Sequence, residues 1–148
     1  MQTYKVTVDD IKTIQWYNDK DQLHRIDGPA IERADGTKAW FVNDKPHRLD
    51  GPSIERTDVY KEWYVEGKLH RLDGPAREWA DGSKEWYVND KRHRLDGPSV
   101  EFTNGYKAWY VEDNYMTEEE FSAYTKPKPT CENKVIDIDG KKYKLVTI

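Results

Sequence analysis

The four histidines of this chain stand at one fixed interval, and that interval constrains the fold more than any other feature of the sequence. Successive histidines are 23 residues apart, and each begins the phrase His-Arg-x-Asp-Gly-Pro, at His24, His47, His70 and His93. A glutamate, a lysine and a tryptophan recur at constant offsets: Glu32, Glu55, Glu78 and Glu101; Lys38, Lys61, Lys84 and Lys107; Trp40, Trp63, Trp86 and Trp109. Such a period is typical of repeat proteins, whose units bury their apolar faces against their neighbours. The sequence therefore predicts an array of four copies.

Each copy contains the pattern of a β-hairpin. In the first copy, a short run ending at Arg33 meets Ala-Asp-Gly and then the β-rich run Lys-Ala-Trp-Phe-Val-Asn. A three-residue loop with a left-handed glycine would place Glu32 opposite Lys38, and Ala30 opposite Trp40. A two-residue Asp-Gly turn would put the glutamate and the lysine on opposite faces. We favour the three-residue loop, because it pairs opposite charges and sets a small residue against each indole.

Neighbouring copies differ in a regular way. The first and third share Gly-Pro-Ala and Val-Asn-Asp, whereas the second and fourth share Gly-Pro-Ser and Val-Glu. The second copy also has Val59 where the others have glycine, so its turn must differ. A duplicated pair of units and two alternating environments both explain the pattern. In either case, neighbouring hairpins are not equivalent.

The repeated unit resembles the MORN (membrane occupation and recognition nexus) repeat, and more closely a variant with HRxDGPA and NGK-like phrases that is common in phage and bacterial proteins. The resemblance covers roughly residues 16–125. It implies one hairpin with a glycine-rich turn per unit, and a role as a scaffold or binding surface. This chain lacks the second, regularly placed glycine of ordinary MORN units, so their lipid contacts are not expected here.

The segments outside the array have the features of caps, which repeat arrays need at their ends. We expect an all-β array of 23-residue β-hairpin repeats with a short C-terminal capping helix and a terminal hairpin. The predicted organisation is a capping strand over 1–15, the array with flanking half-repeats over 16–116, the helix over 117–125, a linker over 126–132 and a β-hairpin over 133–148. Thr117 and Glu120 form a capping box, with Met116 and Phe121 placed as a hydrophobic staple. Open strand edges favour self-association into a homo-oligomer.

Composition limits the classes of function. A mean hydropathy of -1.05 and 35% charged residues argue against a large core, whereas 6 Trp, 10 Tyr and 3 Phe argue against disorder. The net charge of -4 argues against binding to nucleic-acid polymers or to anionic membranes. No apolar run is long enough for a membrane span, and the single cysteine, Cys131, suits a reducing compartment. We expect a cytoplasmic protein, in the host cytoplasm if a phage encodes it.

The repeated histidines and arginines are the first candidates for a site. Histidines of successive copies should lie about 10 Å apart, twice the strand spacing, whereas zinc needs nitrogen ligands at about 2 Å. We therefore expect no metal, no cofactor and no catalytic residue. Each arginine stands two residues before an aspartate: Arg25, Arg48, Arg71 and Arg94 before Asp27, Asp50, Asp73 and Asp96. These arginines either form Arg–Asp pairs that fix the turns or present a row of guanidinium groups to a phosphorylated ligand.

The aromatic residue after each tryptophan should point to the face opposite the indole, because strand side chains alternate. Contiguous exposed aromatics usually mark an interface, so we expect binding on that face. The predicted binding residues are Phe41, Tyr64, Tyr87, Tyr110, Arg25, Arg48, Arg71, Arg94, Tyr60 and Tyr106. The expected function is a non-enzymatic module, of phage type, that engages and inhibits a host protein. The alternative is a sponge that sequesters a phosphorylated small-molecule signal, such as a cyclic nucleotide of bacterial antiphage defence.

Overall fold

The chain folds into one long antiparallel sheet to which every copy contributes a hairpin. The computed structural model describes residues 4–126, 135–138 and 141–144. Its elements are β1 (Lys5–Val8), β2 (Ile14–Tyr17), β3 (Ile31–Glu32), β4 (Lys38–Ala39), β5 (Phe41–Val42), β6 (Lys45–Pro46), β7 (Ile54–Arg56), β8 (Tyr60–Glu62), β9 (Tyr64–Val65), β10 (Lys68–Leu69), β11 (Arg77–Trp79), β12 (Lys84–Glu85), β13 (Tyr87–Val88), β14 (Lys91–Arg92), β15 (Val100–Glu101), β16 (Lys107–Val111), β17 (Asn114–Met116), α1 (Glu118–Thr125), β18 (Val135–Ile138) and β19 (Lys141–Lys144). The large sheet has eleven strands in the order β1-β2-β3-β4-β7-β8-β11-β12-β15-β16-β17. The predicted all-β hairpin array is confirmed.

The turn of the main hairpin is the one that the sequence predicts. Glu32 pairs with Lys38 across β3 and β4. Gly36 has φ +86, and its amide donates to the Arg33 carbonyl at 3.0 Å, which closes a three-residue loop. In the second copy the left-handed residue is Asp58, with φ +56. It lies one position before Val59, the residue equivalent to Gly36. The turn of that copy therefore differs, as its missing glycine requires.

Each copy also contains a second, shorter hairpin that the sequence analysis did not predict. In the first copy β5 pairs with β6 across Asn43 and Asp44, whose φ values are 51 and 63. Two successive left-handed residues form the type I′ turn that closes a two-residue hairpin. The second and third copies repeat it as β9 with β10 and β13 with β14, and the fourth as β16 with β17. The implied single hairpin per unit is therefore wrong, because 23 residues hold two.

Tryptophans join one copy to the next. The Trp40 amide donates to the Ser53 carbonyl of the following copy at 2.8 Å, and the Trp16 amide donates to the Ala30 carbonyl at 2.9 Å. The small residues therefore also neighbour the tryptophan of the preceding unit, which the sequence does not predict. Both Ala30 and Ser53 are fully buried, so a larger side chain would not fit at these junctions.

The array has a strand at its N-terminal end and a helix after its last strand. β1 is an edge strand of the sheet. Helix α1 begins at the predicted capping box, since the Thr117 hydroxyl accepts from the Glu120 amide and the Glu120 carboxylate accepts from the Thr117 amide. Phe121 is the buried residue of this helix. β18 and β19 pair as the predicted terminal hairpin. Most of the predicted linker lies outside the described residues, and no helix in the described part is long and apolar enough to cross a membrane.

Candidate functional site

The repeated arginines are held at the junctions between copies. The guanidinium carbon of Arg71 lies 4.1 Å from the centre of the Trp63 ring. Its Nε donates to Asp73 at 2.9 Å, and its Nη1 donates to the Pro75 carbonyl at 3.2 Å and to Glu78 at 3.1 Å. The other three copies repeat these contacts, with Arg25 over Trp16, Arg48 over Trp40 and Arg94 over Trp86. Each guanidinium is thus engaged within the fold, as the interpretation of paired arginines and aspartates predicts.

The aromatic residues that follow the tryptophans do not form an exposed face. Tyr87 is 9% exposed and packs in the core with Leu69 and Ala76, while Tyr64 is half-buried against the same cluster. Phe41 and Tyr110 are half-buried as well. Leu69 belongs to the second hairpin of the preceding copy, so the hairpin that the sequence analysis missed covers this face. The expectation of contiguous exposed aromatics at these positions is therefore wrong.

Charged residues interrupt the apolar row on which these tyrosines pack. Cross-strand pairs join the row from β3 to β16, and we call it the core row: Ile31, Ala39, Ile54, Glu62, Arg77, Glu85, Val100 and Ala108. Arg77 lies between two carboxylates, with Nε 2.6 Å from Glu62 and Nη1 3.4 Å from Glu85. The Tyr64 hydroxyl donates to Glu62 at 3.2 Å and the Tyr87 hydroxyl donates to Glu85 at 3.1 Å. The centre of the core row is thus a hydrogen-bonded polar network.

Burial and the neighbouring glutamates shift the pKa values of Arg77, Tyr64 and Tyr87. Burial opposes the charge of Arg77, yet the Glu62 and Glu85 carboxylates outweigh it and raise the pKa of the guanidinium. Burial, followed by the negative charge of Glu62, raises the pKa of the Tyr64 hydroxyl. The same two causes, with Glu85 as the charge, raise the pKa of Tyr87. Both tyrosines therefore resist ionisation in the folded chain.

We expect this resistance to appear as a loss of stability in alkali. Tyrosine ionises near pH 10 in an unfolded chain, and the raised pKa of Tyr64 and Tyr87 makes the folded chain bind these protons more tightly. Their contribution is therefore complete below about pH 10 and is lost as the pH rises through the folded pKa values. Urea unfolding between pH 8 and 11 should show a shallower decline for Tyr64→Phe/Tyr87→Phe than for the wild type. The control Tyr115→Phe alters an exposed ring, and an equal decline in all three proteins would contradict the assignment.

Aromatic residues are exposed at another place, beside the turns of the later copies. Trp79 and Phe102 meet edge to face with ring centres 6.1 Å apart, and Phe102 and Tyr106 lie 5.7 Å apart. Tyr60 is the cross-strand partner of Trp79. Phe102 is 36% and Tyr106 51% exposed, whereas Tyr60 and Trp79 are half-buried. These four residues form what we call the tip patch.

The tip patch lies where the repeat breaks its own pattern. The positions equivalent to Trp79 and Phe102 are Arg33 and Arg56 in the first two copies. Of the predicted binding residues, Tyr60 and Tyr106 belong to this patch, while Trp79 and Phe102 were not predicted. The change from arginine to an aromatic at one fixed offset was the signal that could have found them.

Two shallow grooves flank Trp79. One, of about 520 Å³, is bordered by Arg56, Val59 and Tyr60. The other, of about 440 Å³, is bordered by Ser83, Phe102 and Thr103. A half-buried indole between two open grooves has room for a partner side chain on either side, which is the arrangement of an interface anchor.

The opposite face of the sheet is an alternating ladder of charges. Its cross-strand order is Glu32, Lys38, Glu55, Lys61, Glu78, Lys84, Glu101 and Lys107. Each glutamate of the ladder also accepts from a junction arginine, as Glu78 does from Arg71. Carboxylates and cations therefore neutralise each other along this face, so we place no anion-binding site on it.

The histidines show what the alternation of copies does in the structure. The Nδ1 atoms of His24 and His70 lie 2.9 Å from the side-chain oxygens of Asn43 and Asn89. In the fourth copy the residue at that position is Glu112, and its carboxylate lies 3.2 Å from His93 Nδ1. Two alternating environments are thus present. Over the described ranges, no three His, Cys, Asp or Glu side chains are grouped so as to hold a metal ion.

Comparison with protein-family models, with curated proteins and with solved structures finds no match for this chain. The geometry of the array itself is therefore the basis for a functional proposal. Two features bear on it: the engaged arginines at the junctions, and the exposed tip patch.

Proposed function

We propose that this chain is a non-enzymatic protein-binding module that engages its partner through the tip patch. The observation that carries the proposal is the contiguous cluster of Trp79, Phe102 and Tyr106, in which two exposed rings lie beside a half-buried indole. Tryptophan and tyrosine dominate the binding energy of protein interfaces, and they act best where flanking grooves exclude water. Positions at which the array breaks its own symmetry are candidates for selection by a partner.

The engaged arginines favour this proposal over the sequestration of a phosphorylated signal. A sponge built from Arg25, Arg48, Arg71 and Arg94 would need guanidinium groups with donors to offer. Each of them already donates to an aspartate, a glutamate and a proline carbonyl, and each stacks on an indole. A phosphate would find the Nε and Nη1 donors occupied, and the aspartate and glutamate carboxylates beside them would repel it. The resemblance to phage and bacterial repeat proteins suggests a host protein as the partner, and inhibition as the outcome of binding.

Equivalent positions in other copies indicate which substitutions can test the tip patch. Trp79→Arg and Phe102→Arg install the residues that the first two copies carry at these positions, so the hairpin fold should persist. We expect the wild type to retain a stoichiometric partner from host lysate and the double variant to lose it. After the partner is identified, titration calorimetry with the purified protein should show a loss of at least about a hundredfold, because two anchors are removed.

The matched control is Tyr124→Arg, which replaces an exposed aromatic on the helix outside the patch. It should bind as the wild type does. Retention of the partner by the double variant would reject the tip patch as the binding surface. A melting temperature that rises with one member of a nucleotide panel would instead support the sponge, since a ligand that binds the folded state stabilises it.

A further inference from the structure

The junction loops carry a row of exposed aliphatic side chains that the tip patch does not explain. The residue between arginine and aspartate in each repeated phrase is Ile26, Leu49, Leu72 or Leu95, and their exposed fractions are 68%, 79%, 80% and 52%. We call these residues the aliphatic row. Isolated exposed leucines are common on protein surfaces, but four at one offset of a repeat give a continuous, evenly spaced surface.

The spaces between these side chains are open grooves, each with an apolar part beside the arginines and aspartates of the repeated phrases. The groove between Leu49 and Leu72 has a volume of about 640 Å³ and is lined by Trp63, Val65 and Pro52. The next groove, between Leu72 and Leu95, has a volume of about 590 Å³ and is lined by the equivalent residues Trp86, Val88 and Pro75. The aliphatic row therefore alternates with sites that can receive an apolar side chain from a partner.

The exposed charge along the row is acidic. The aspartates that follow the aliphatic residues have side chains 71% to 84% exposed, whereas the arginine side chains beneath them are 19% to 23% exposed. The hydrogen bond from each arginine lowers the pKa of Asp50, Asp73 and Asp96, so these carboxylates stay ionised. A partner that lies along the row meets carboxylates at regular intervals. This favours a basic partner and disfavours pairing with the acidic row of a second copy of this chain.

The spacing of the row selects the conformation of that partner. Equivalent residues of successive copies lie about 10 Å apart, because each copy adds two strands to the sheet. A polyproline II segment has three residues per turn and advances about 3.1 Å per residue, so every third side chain points the same way at about 9.3 Å intervals. Aromatic-lined grooves are also the usual receptors for proline-rich segments in this conformation.

We propose that the aliphatic row binds an extended basic segment of a partner protein, with an apolar side chain at every third position and lysine or arginine between. The apolar side chains enter the grooves between Leu49, Leu72 and Leu95, and the cations face the exposed aspartates. This surface shares no residue with the tip patch, so each proposal can be tested independently of the other.

A synthetic peptide tests the proposal without knowledge of the natural partner. The probe is fluorescein-labelled (Pro-Lys-Leu)₅, which follows the period of three, and binding is measured by fluorescence anisotropy with the full chain. One control peptide has the same composition with its leucines in a single block, and another has glutamate for lysine. We expect both controls to bind at least about tenfold more weakly than the probe, since one loses the register and the other faces like charges.

Variants of the chain complete the test. Leu49→Ser/Leu72→Ser should weaken binding of the probe at least about tenfold, because each leucine loses an apolar contact. The matched control Val8→Ser/Ile11→Ser removes two equally exposed aliphatic residues from outside the row and should bind as the wild type does. Trp79→Arg/Phe102→Arg should also bind the probe normally, which separates this surface from the tip patch. Equal binding of all three peptides, unchanged binding by the leucine variant, or no binding of the probe at about 1 mM overturns the proposal.

Discussion

Replacement of Arg71 by alanine should lower the free energy of unfolding by about 2 to 4 kcal/mol. The side chain is 22% exposed and stacks on Trp63 with its guanidinium carbon 4.1 Å from the ring centre. It also satisfies the Pro75 carbonyl and the Glu78 carboxylate, both of which would lose a donor. The pair with Asp73 adds little, because that carboxylate is 84% exposed and solvent screens the interaction.

The size of this effect can be tested with two companion variants. Arg71→Lys keeps the charge but loses the planar fork, so it should recover only part of the loss. Arg33→Ala removes an exposed arginine from a turn and should change the free energy of unfolding by less than about 0.5 kcal/mol. Urea unfolding followed by tryptophan fluorescence measures all three. Equal stability of Arg71→Ala and Arg33→Ala would show that the stack does not hold the copies together.

The features that the sequence predicted well depend on neighbours within one copy. Gly36 adopts the left-handed conformation that its three-residue loop needs, and the Thr117 capping box starts the helix, because both are local choices of the backbone. The second hairpin escaped prediction because Asn43 and Asp44 occupy its two left-handed positions without a glycine. Its turn therefore lacks the strongest sequence signal for a hairpin.

The burial of Tyr87 could not be predicted for a related reason. Alternation along a strand places it opposite the tryptophan, as expected. What covers it is Leu69, a residue of the short hairpin of the preceding copy. Tyr87 is buried because another hairpin covers it. The alternation of side chains within one strand cannot predict a contact between two hairpins. The tip patch at Trp79 and Phe102, in contrast, was visible as an irregularity of the repeat.

The polar centre of the core row should produce the largest single effect in the chain. Arg77→Ile removes the cation between two carboxylates whose side chains are 12% and 7% exposed, so we expect a loss of about 3 to 5 kcal/mol. Urea unfolding at pH 7, followed by tryptophan fluorescence, measures the loss.

The other copies show how the same row is built without charges. The positions of Glu62 and Glu85 are Ala39 in the first copy and Ala108 in the fourth, and the residue two positions after Ala39 is a phenylalanine that needs no acceptor. Tyrosine and glutamate thus occur together in the second and third copies, whereas the fourth combines Ala108 with Tyr110. The fully apolar combination is present in the first copy.

A variant in which the whole polar network is replaced by apolar residues should therefore recover the stability that Arg77→Ile loses. Glu62→Ala/Tyr64→Phe/Arg77→Ile/Glu85→Ala/Tyr87→Phe replaces these five residues with their counterparts from the first copy. The variant also carries Arg92→Leu, the residue of the second copy, because Arg92 lies 3.7 Å from Glu85 and would otherwise lose its carboxylate. Replacing a buried charge cluster by apolar residues is often neutral or stabilising by about 1 to 4 kcal/mol. We expect this variant to unfold at or near the wild-type urea concentration. If it is as unstable as Arg77→Ile, loss of packing and not an unpaired buried charge causes the defect.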